Sequence, residues 1–310
     1  MTTRAVLAAT NGSVISRLAA AGDVLAVLVD LGGGDAAAIR RRALACGAAK
    51  VIAVDARDEF AAGFCLPAVQ SNALLVDASL TRPVLERHLV AVAEAQHAEP
   101  VFAAARPGRT LWSHPAEAPA DPWCAPGDVF TYTEDPAVNR EAPDEVVITF
   151  DRGVPVAVDG ETVSVREAVQ LLNHRAGAHG IGRIDRMTGC RELHEAPGAT
   201  VLVTAHQELE RVTLDRELAR FKENVDRRWA ELVYDGLWSS PLREPLDAFV
   251  RHTQEYVSGD VRLLLHGGTA VVTGRRGEDL TRGRHLRPVG RRYRPLTGQE
   301  HPDHPTHRAS

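Results

Sequence analysis

Apolar positions in the first hundred residues come in short runs that alternate with helically spaced segments. Residues 5–9 (A-V-L-A-A) form a run suited to a strand buried on both faces. Residues 14–21 repeat at helical intervals and stop at Gly22, and residues 24–30 give a second strand that ends at the reversal Gly32, Gly33, Gly34. Residues 36–46 read as a helix closed by Gly47 in the C-cap position, and residues 50–55 as a third strand. Two helical patterns follow at 60–74 and 82–96, and residues 100–104 form a fourth strand candidate. Strands that alternate with helices in this way build a parallel α/β sheet.

The pattern then breaks. Residues 106–126 are rich in proline and alanine, keep no period, and read as a linker or loop-rich crossover. Beyond them the order becomes α+β. Strands are expected at 146–150, 155–158, 200–204, 261–265 and 269–273, and helices at 165–177, 214–237 and 242–257. From Arg275 onward there are nine arginines against four acids and little apolar content after Val289, so the tail reads as disordered. The organisation is therefore 1–105, a parallel α/β domain; 106–144, a crossover; 145–276, an α+β domain; and 277–310, a tail.

At 310 residues and 44% hydrophobic content the chain can bury one large or two medium cores. A net charge of −5 gives no overall attraction to nucleic acid or an anionic membrane, and neither is expected as a partner. No apolar stretch reaches the roughly 18–20 residues of a spanning helix, and the start M-T-T-R-A-V-L-A-A-T-N-G lacks a signal-peptide profile. Cys46, Cys65, Cys124 and Cys190 are widely spaced with no C-x-x-C pair, which fits a reduced, cytoplasmic setting.

Candidate chemistry is sparse. Where the first strand turns into its helix stands Ala9-Thr10-Asn11-Gly12-Ser13. Thr10, Asn11 and Ser13 could donate to a phosphate at the helix N-terminus. The plainer reading has Asn11 or Gly12 making the turn and Ser13 capping the helix. Gly32, Gly33 and Gly34 lack G-x-G-x-x-G spacing and read as an ordinary turn. Cys190 and His194, with His179 and His206 in neighbouring blocks, are of zinc-ligand type, but no metal is expected.

Several blocks carry a family resemblance. They are E-A-P-G-A-T-V-L-V-T-A-H at 195–206, T-L-D-R-E-L at 213–218, W-A-E-L-V-Y-D-G-L-W-S-S-P-L-R-E at 229–244 and T-Q-E-Y-V-S-G-D-V-R at 253–262. Upstream stand A-H-G-I-G-R-I-D at 178–185, F-D-R-G-V-P-V-A-V at 150–158, S-L-T-R-P at 79–83 and G-A-A-K-V-I-A-V-D-A-R-D-E-F at 47–60. In this order they resemble argininosuccinate synthase over most of the chain. The resemblance implies an N-terminal nucleotide-binding domain of the PP-loop type, a C-terminal α+β synthetase domain and a homotetramer tied by a C-terminal arm. It also implies ATP-dependent adenylation of citrulline followed by attack of the aspartate amine.

The chain departs from the family where the chemistry lies. The family's phosphate loop, S-G-G-x-D-[ST], is here Ala9 to Ser13, with one glycine and no acid. Its segment T-G-K-G-N-D-x-x-R-F, which contacts both substrates and the nucleotide, has no counterpart, because Ala105-Arg106-Pro107-Gly108-Arg109 leads straight to Trp112. Positioning of that kind is worth on the order of 7–11 kcal/mol in favourable cases. Its V-E-N-R turn contracts to residues 186–194, which puts His194 at the position of a substrate-closing tyrosine and leaves Glu192 only a distant candidate for the pocket acid. Ser79 and Arg82 match citrulline-site positions, and Arg82 could hold a carboxylate bidentately.

The expectation is a homologue that has lost ligation and binds a partner or a small, amino-acid-like metabolite, with Ser79, Arg82 and His194 the substrate-binding candidates whose remodelled pocket the second reading would use. An enzyme of specialised metabolism with altered chemistry is second, and a true synthase third. ATP and Mg²⁺ are expected only if the ancestral activity persists. A homo-oligomer is expected, with a dimer favoured over a tetramer because the family's terminal arm sequence is missing after Arg276.

Overall fold

The computed structural model describes residues 3–8, 12–74, 77–103, 108–119, 121, 129–138, 142–187 and 191–278. Strands β1 (Arg4–Leu7), β2 (Val24–Asp30), β3 (Lys50–Asp55) and β4 (Glu99–Val101) form one parallel sheet in the order β3-β2-β1-β4. Helices α1 (Gly12–Ala19) and α2 (Ala36–Ala45) cover one face, over Val6, Ala8, Val24, Ala26 and Leu28. The other face buries Ala5, Leu7, Leu25 and Val27 in a core that runs on into the C-terminal half. A sheet apolar on both faces needs such double cover, which explains the unbroken apolar runs.

Between β3 and β4 the chain forms α3 (Arg57–Phe60), a π turn (Ala61–Cys65), α4 (Leu66–Gln70) and α5 (Asp77–Ala95). Two expectations are corrected here. The single helix at 60–74 is divided, and it stops at Gln70 because Asn72 takes a left-handed φ of 48°. The helix expected from residue 82 begins at Asp77, so Arg82 lies within it rather than at its start.

The C-terminal half is built on an antiparallel sheet of order β12-β11-β6-β7-β8. Its strands are β6 (Asp144–Asp151), β7 (Val154–Val158), β8 (Glu161–Thr162), β11 (Gly259–His266) and β12 (Thr269–Gly277). Three two-residue hairpins connect them through Arg152-Gly153, Asp159-Gly160 and Gly267-Gly268, each with positive φ at both central residues. That geometry matches the twist of the flanking strands. Helices α6 (Val165–Ala178) and α7 (Pro197–Thr213) pack together and cover this sheet, flanked by α8 (Arg216–Tyr234) and α9 (Arg243–Gln254). A capping box at Ser164 and Glu167 opens α6, and Asp215 caps α8.

The strand expected at 200–204 is overturned, because V-L-V-T lies inside α7. Its β-branched residues favour a strand locally. However, Pro197 at the helix start and the burial of Val201, Leu202, Ala205 and Leu209 fix a helix against the sheet. A further sheet of order β5-β10-β9 comprises β5 (His114–Ala116), β9 (Arg183–Met187) and β10 (Arg191–Glu195). It was not foreseen, and β5 places His114–Ala116, within the stretch expected to be a linker, in a sheet. Arg275 and Arg276 belong to β12 and pair with Glu208 and Asp260, so ordered structure runs past the expected start of the tail. The remainder of that tail, from residue 279, lies outside the described residues. Among the described residues, no helix is long and apolar enough to cross a membrane.

Candidate functional site

Ligands of open α/β sheets bind outside the carboxyl ends of the strands. At that edge Thr10 and Asn11 lie outside the described residues, while Gly12 and Ser13 form the first turn of α1. Ser13 is therefore inside the helix and not its cap, because the helical turn already starts at Gly12. The one loop glycine has a packing reason. A Cβ on Gly12 would meet the Cys46 Sγ at 2.7 Å, where α1 crosses the end of α2 and the Ser16 hydroxyl donates to the Cys46 carbonyl at 3.0 Å.

The neighbouring turn is also occupied. Gly32 has φ +87° and its N–H donates to Asp30 Oδ1 at 2.9 Å. Thr110 bridges Gly32, and the Leu111 N–H donates to the Leu31 carbonyl at 2.9 Å. Gly33 lies so close that an added Cβ would sit 2.4 Å from Thr110 N. Arg57 closes the ends of β2 and β3 by holding Asp55 at 2.6 Å and reaching Asp30 at 3.8 Å. The hydrogen bonds from Arg57 lower the Asp55 pKa to about 2.

Ser79 and Arg82 lie together on α5 in a cleft of about 430 Å³. Its other walls include Glu86, Arg87, Phe64 and Trp238. The Ser79 hydroxyl donates to the Tyr234 carbonyl at 2.7 Å, so toward a ligand this oxygen can only accept. Arg82 pairs with Glu86 at 2.7 Å, yet 72% of its side chain is exposed. Arg87 pairs with Glu59 and sits 6.0 Å from the Phe64 ring. Phe64 stacks on Trp238 with centroids 4.7 Å apart, and Arg243 covers Trp238 at 3.8 Å. The cleft thus offers two guanidinium groups, one hydroxyl acceptor and an aromatic wall.

His194 is not among those walls. It stands on the central strand β10, opposite Ile184 and Pro115. The contraction of the turn placed it in register with two strands instead of at a pocket rim. Directly paired residues share a sheet face, so His194 lies on the same side as Glu192 and Arg186, which are paired at 2.7 Å. Arg186 in turn lies 4.7 Å from the Tyr234 ring, whose backbone carbonyl holds Ser79. The hairpin and the cleft are therefore joined through Tyr234, while His194 stays outside the cleft. On β10, Glu195 is a structural anchor. Its carboxylate accepts from the N–H groups of Thr131, Tyr132 and Thr133 and from the Thr133 hydroxyl, at 2.7–3.1 Å.

Sequence reasoning missed Phe64, Arg87 and Trp238. Only the W-S-S-P run after α8 could have signalled one of them, and it reads equally well as packing. A larger hollow of about 500 Å³ lies between α6 and residues 132–138, with Glu134, Asp135 and His174 among its walls and none of the expected site residues. Among the described residues, no group of three or more His, Cys, Asp or Glu side chains is placed to hold a metal ion. Cys190 lies outside them, and His206 is engaged by Asn72 and Gln254.

Comparison with known families gives two matches. Residues 9–107 match the family described as arginosuccinate synthase N-terminal HUP domain. Residues 109–282 match the family described as arginosuccinate synthase C-terminal domain.

Proposed function

The chain belongs to the argininosuccinate synthase family of ATP-dependent ligases, and we propose that this member binds a small amino-acid-like metabolite without ligating it. One observation carries the reading. β4 ends at Val101, and Thr110 is already bridged to Gly32. Eight residues, 102–109, connect the two, fewer than the ten of the T-G-K-G-N-D-x-x-R-F motif alone. The phosphate loop is also reduced in this chain, with Gly12 as its one glycine and no acid between Ala9 and Ser13. A cradle needs backbone N–H groups free to approach the anion.

The cleft supports the binding half of the proposal. A ligand carboxylate would pair with Arg82 and Arg87, where planar guanidinium groups match its two oxygens. A ligand ammonium would donate to the Ser79 oxygen, and an aliphatic stem would lie against Phe64 and Trp238. We also take the chain to act as a homodimer, since Phe221, Leu237 and Leu242 are 58%, 49% and 42% exposed. Light scattering that reports a monomer at micromolar concentration would exclude the dimer.

Incubation with ATP, Mg²⁺, citrulline and aspartate tests the loss of ligation, with AMP and argininosuccinate as readouts. Neither product is expected. Both together would identify a working synthase, and AMP released with a different amine acceptor would identify an enzyme of altered chemistry. Calorimetry with citrulline, arginine and aspartate tests the cleft. Arg82→Ala is expected to weaken whichever of them binds by at least tenfold, about 1.4 kcal/mol. Unchanged affinity in that variant would place the ligand elsewhere.

A further inference from the structure

A buried cluster of ionisable groups lies away from the cleft, where the chain just after α4 meets α7, α8 and α9. His206 is fully buried, Lys222 is 1% exposed, and Glu210 and Asp226 are 6% and 7% exposed. The three ammonium protons of Lys222 have three acceptor groups: the Gln70 carbonyl at 2.7 Å, Asp226 at 2.8 Å and Glu210 Oε1 at 2.9 Å. Asn72, in its left-handed conformation, spends both amide protons on the same carboxylates, Glu210 Oε2 at 2.7 Å and Asp226 Oδ2 at 2.8 Å. The Gln254 amide donates to Glu210 Oε1 at 2.9 Å.

These bonds fix which ends of the two amides face His206. The Asn72 oxygen lies 2.9 Å from its Nδ1, and the Gln254 oxygen lies 2.7 Å from its Nε2. An amide oxygen can only accept, so both ring nitrogens must carry a proton, and only the imidazolium has two. Turning Asn72 over would point its oxygen at Glu210 and Asp226, and turning Gln254 would point its oxygen at Glu210. Glu210 therefore blocks both alternatives. The charges also balance, with Lys222 and His206 against Glu210 and Asp226. A neutral ring would leave one excess negative charge in the interior, which is costly.

Burial works against this assignment. It is the largest influence on His206 and, with Lys222, would by itself draw the pKa below the ordinary 6.5, even though Glu210 at 3.7 Å and the Gln254 oxygen pull it up. Phe150 closes the site edge-on at 5.8 Å and brings no charge. The hydrogen-bond pattern decides in favour of the cation, because a neutral ring would set a lone pair against an amide oxygen at 2.7 or 2.9 Å.

We propose that His206 is held as an imidazolium in the native fold and is the proton-controlled fastener between the N-terminal domain, through Gln70 and Asn72, and the C-terminal domain. A histidine that stays charged above its unfolded value near 6.5 contributes stability that is complete below that pH and is lost as pH rises through the native value. Asp226, raised to about 6 by burial, acts in the same direction but in a lower window, between its unfolded 3.8 and about 6. The two effects are therefore separable by pH.

The test is a long-range ¹H–¹⁵N correlation spectrum of the ¹⁵N-histidine-labelled full chain at pH 7.5, with His206 identified by comparison with His206→Gln. The expected result is two protonated ring nitrogens; a neutral ring with one unprotonated nitrogen would overturn the proposal. A second measurement does not depend on the variant folding. Amide exchange at residues 70–74, corrected for intrinsic rates, should lose at least tenfold protection between pH 6.5 and 9.5, while the amides of β2 keep theirs. Protection at residues 70–74 that stays flat over this range would refute the fastener.

Discussion

Gly33→Ala adds one methyl group where the chain linking the two domains crosses the carboxyl edge of the parallel sheet. Gly33 is not in the left-handed region, so the contacts of the methyl group, and not backbone strain, set the outcome. The new Cβ would sit 2.4 Å from Thr110 N and 2.5 Å from both Arg109 C and Thr110 C. All three are backbone atoms, so no side-chain rotation relieves the overlap, and residues 109–111 must lift. Overpacking of this kind costs about 1–3 kcal/mol. Loss of the Leu111 N–H to Leu31 carbonyl bond adds about 0.5–1.5 kcal/mol, for a total of about 1.5–4.5 kcal/mol. Leu111 and Trp112 are each only 1% exposed and move with the segment, which favours the upper end. Urea unfolding followed by tryptophan fluorescence reads the shift. Gly63→Ala is the control, since nothing lies within 4 Å of its added Cβ; it should be neutral or stabilising by up to about 1 kcal/mol. Equal midpoints for Gly33→Ala and the parent chain would refute the close docking of residues 109–111 on this turn.

Lys222→Met leaves Glu210 and Asp226 buried without their ammonium partner, a loss expected to cost about 3–5 kcal/mol at pH 7.5. The cost should shrink at pH 5, because Asp226, with a native pKa of about 6, then takes up a proton and one buried charge disappears; the same loss at both pH values in urea titrations would count against the network. Glu195→Gln removes the charge from a carboxylate with four donors. It should destabilise by about 1.5–3 kcal/mol and speed amide exchange at residues 131–133. Ser164→Ala breaks the capping box of α6 and should cost about 0.5–2 kcal/mol, with faster exchange confined to the first turn of that helix.

The parallel sheet was legible because its strands are apolar on both faces, and β2 and β3 fall on the residues that the runs predicted. The sheet around β9 and β10 was not. R-I-D-R-M and R-E-L-H-E carry charge at most positions, and what holds them is cross-strand pairing of Arg186 with Glu192 and Arg191 with Asp185. Such pairs show only after the register is known. Ser79 and Arg82 were legible as neighbours three residues apart, whereas the Trp238 wall reaches them only through the packing of α8 against α5. The His206 cluster was invisible for the same reason, since Asn72 lies 134 residues from His206 and 154 from Asp226.

The central claim, that this family member has lost ATP-dependent ligation, is tested most directly by calorimetric titration of the full chain with ATP and Mg²⁺. A loop with one glycine and no acid should bind more weakly than about 1 mM, or about −4 kcal/mol. Heat that saturates at micromolar ATP, at one site per chain, would contradict the account.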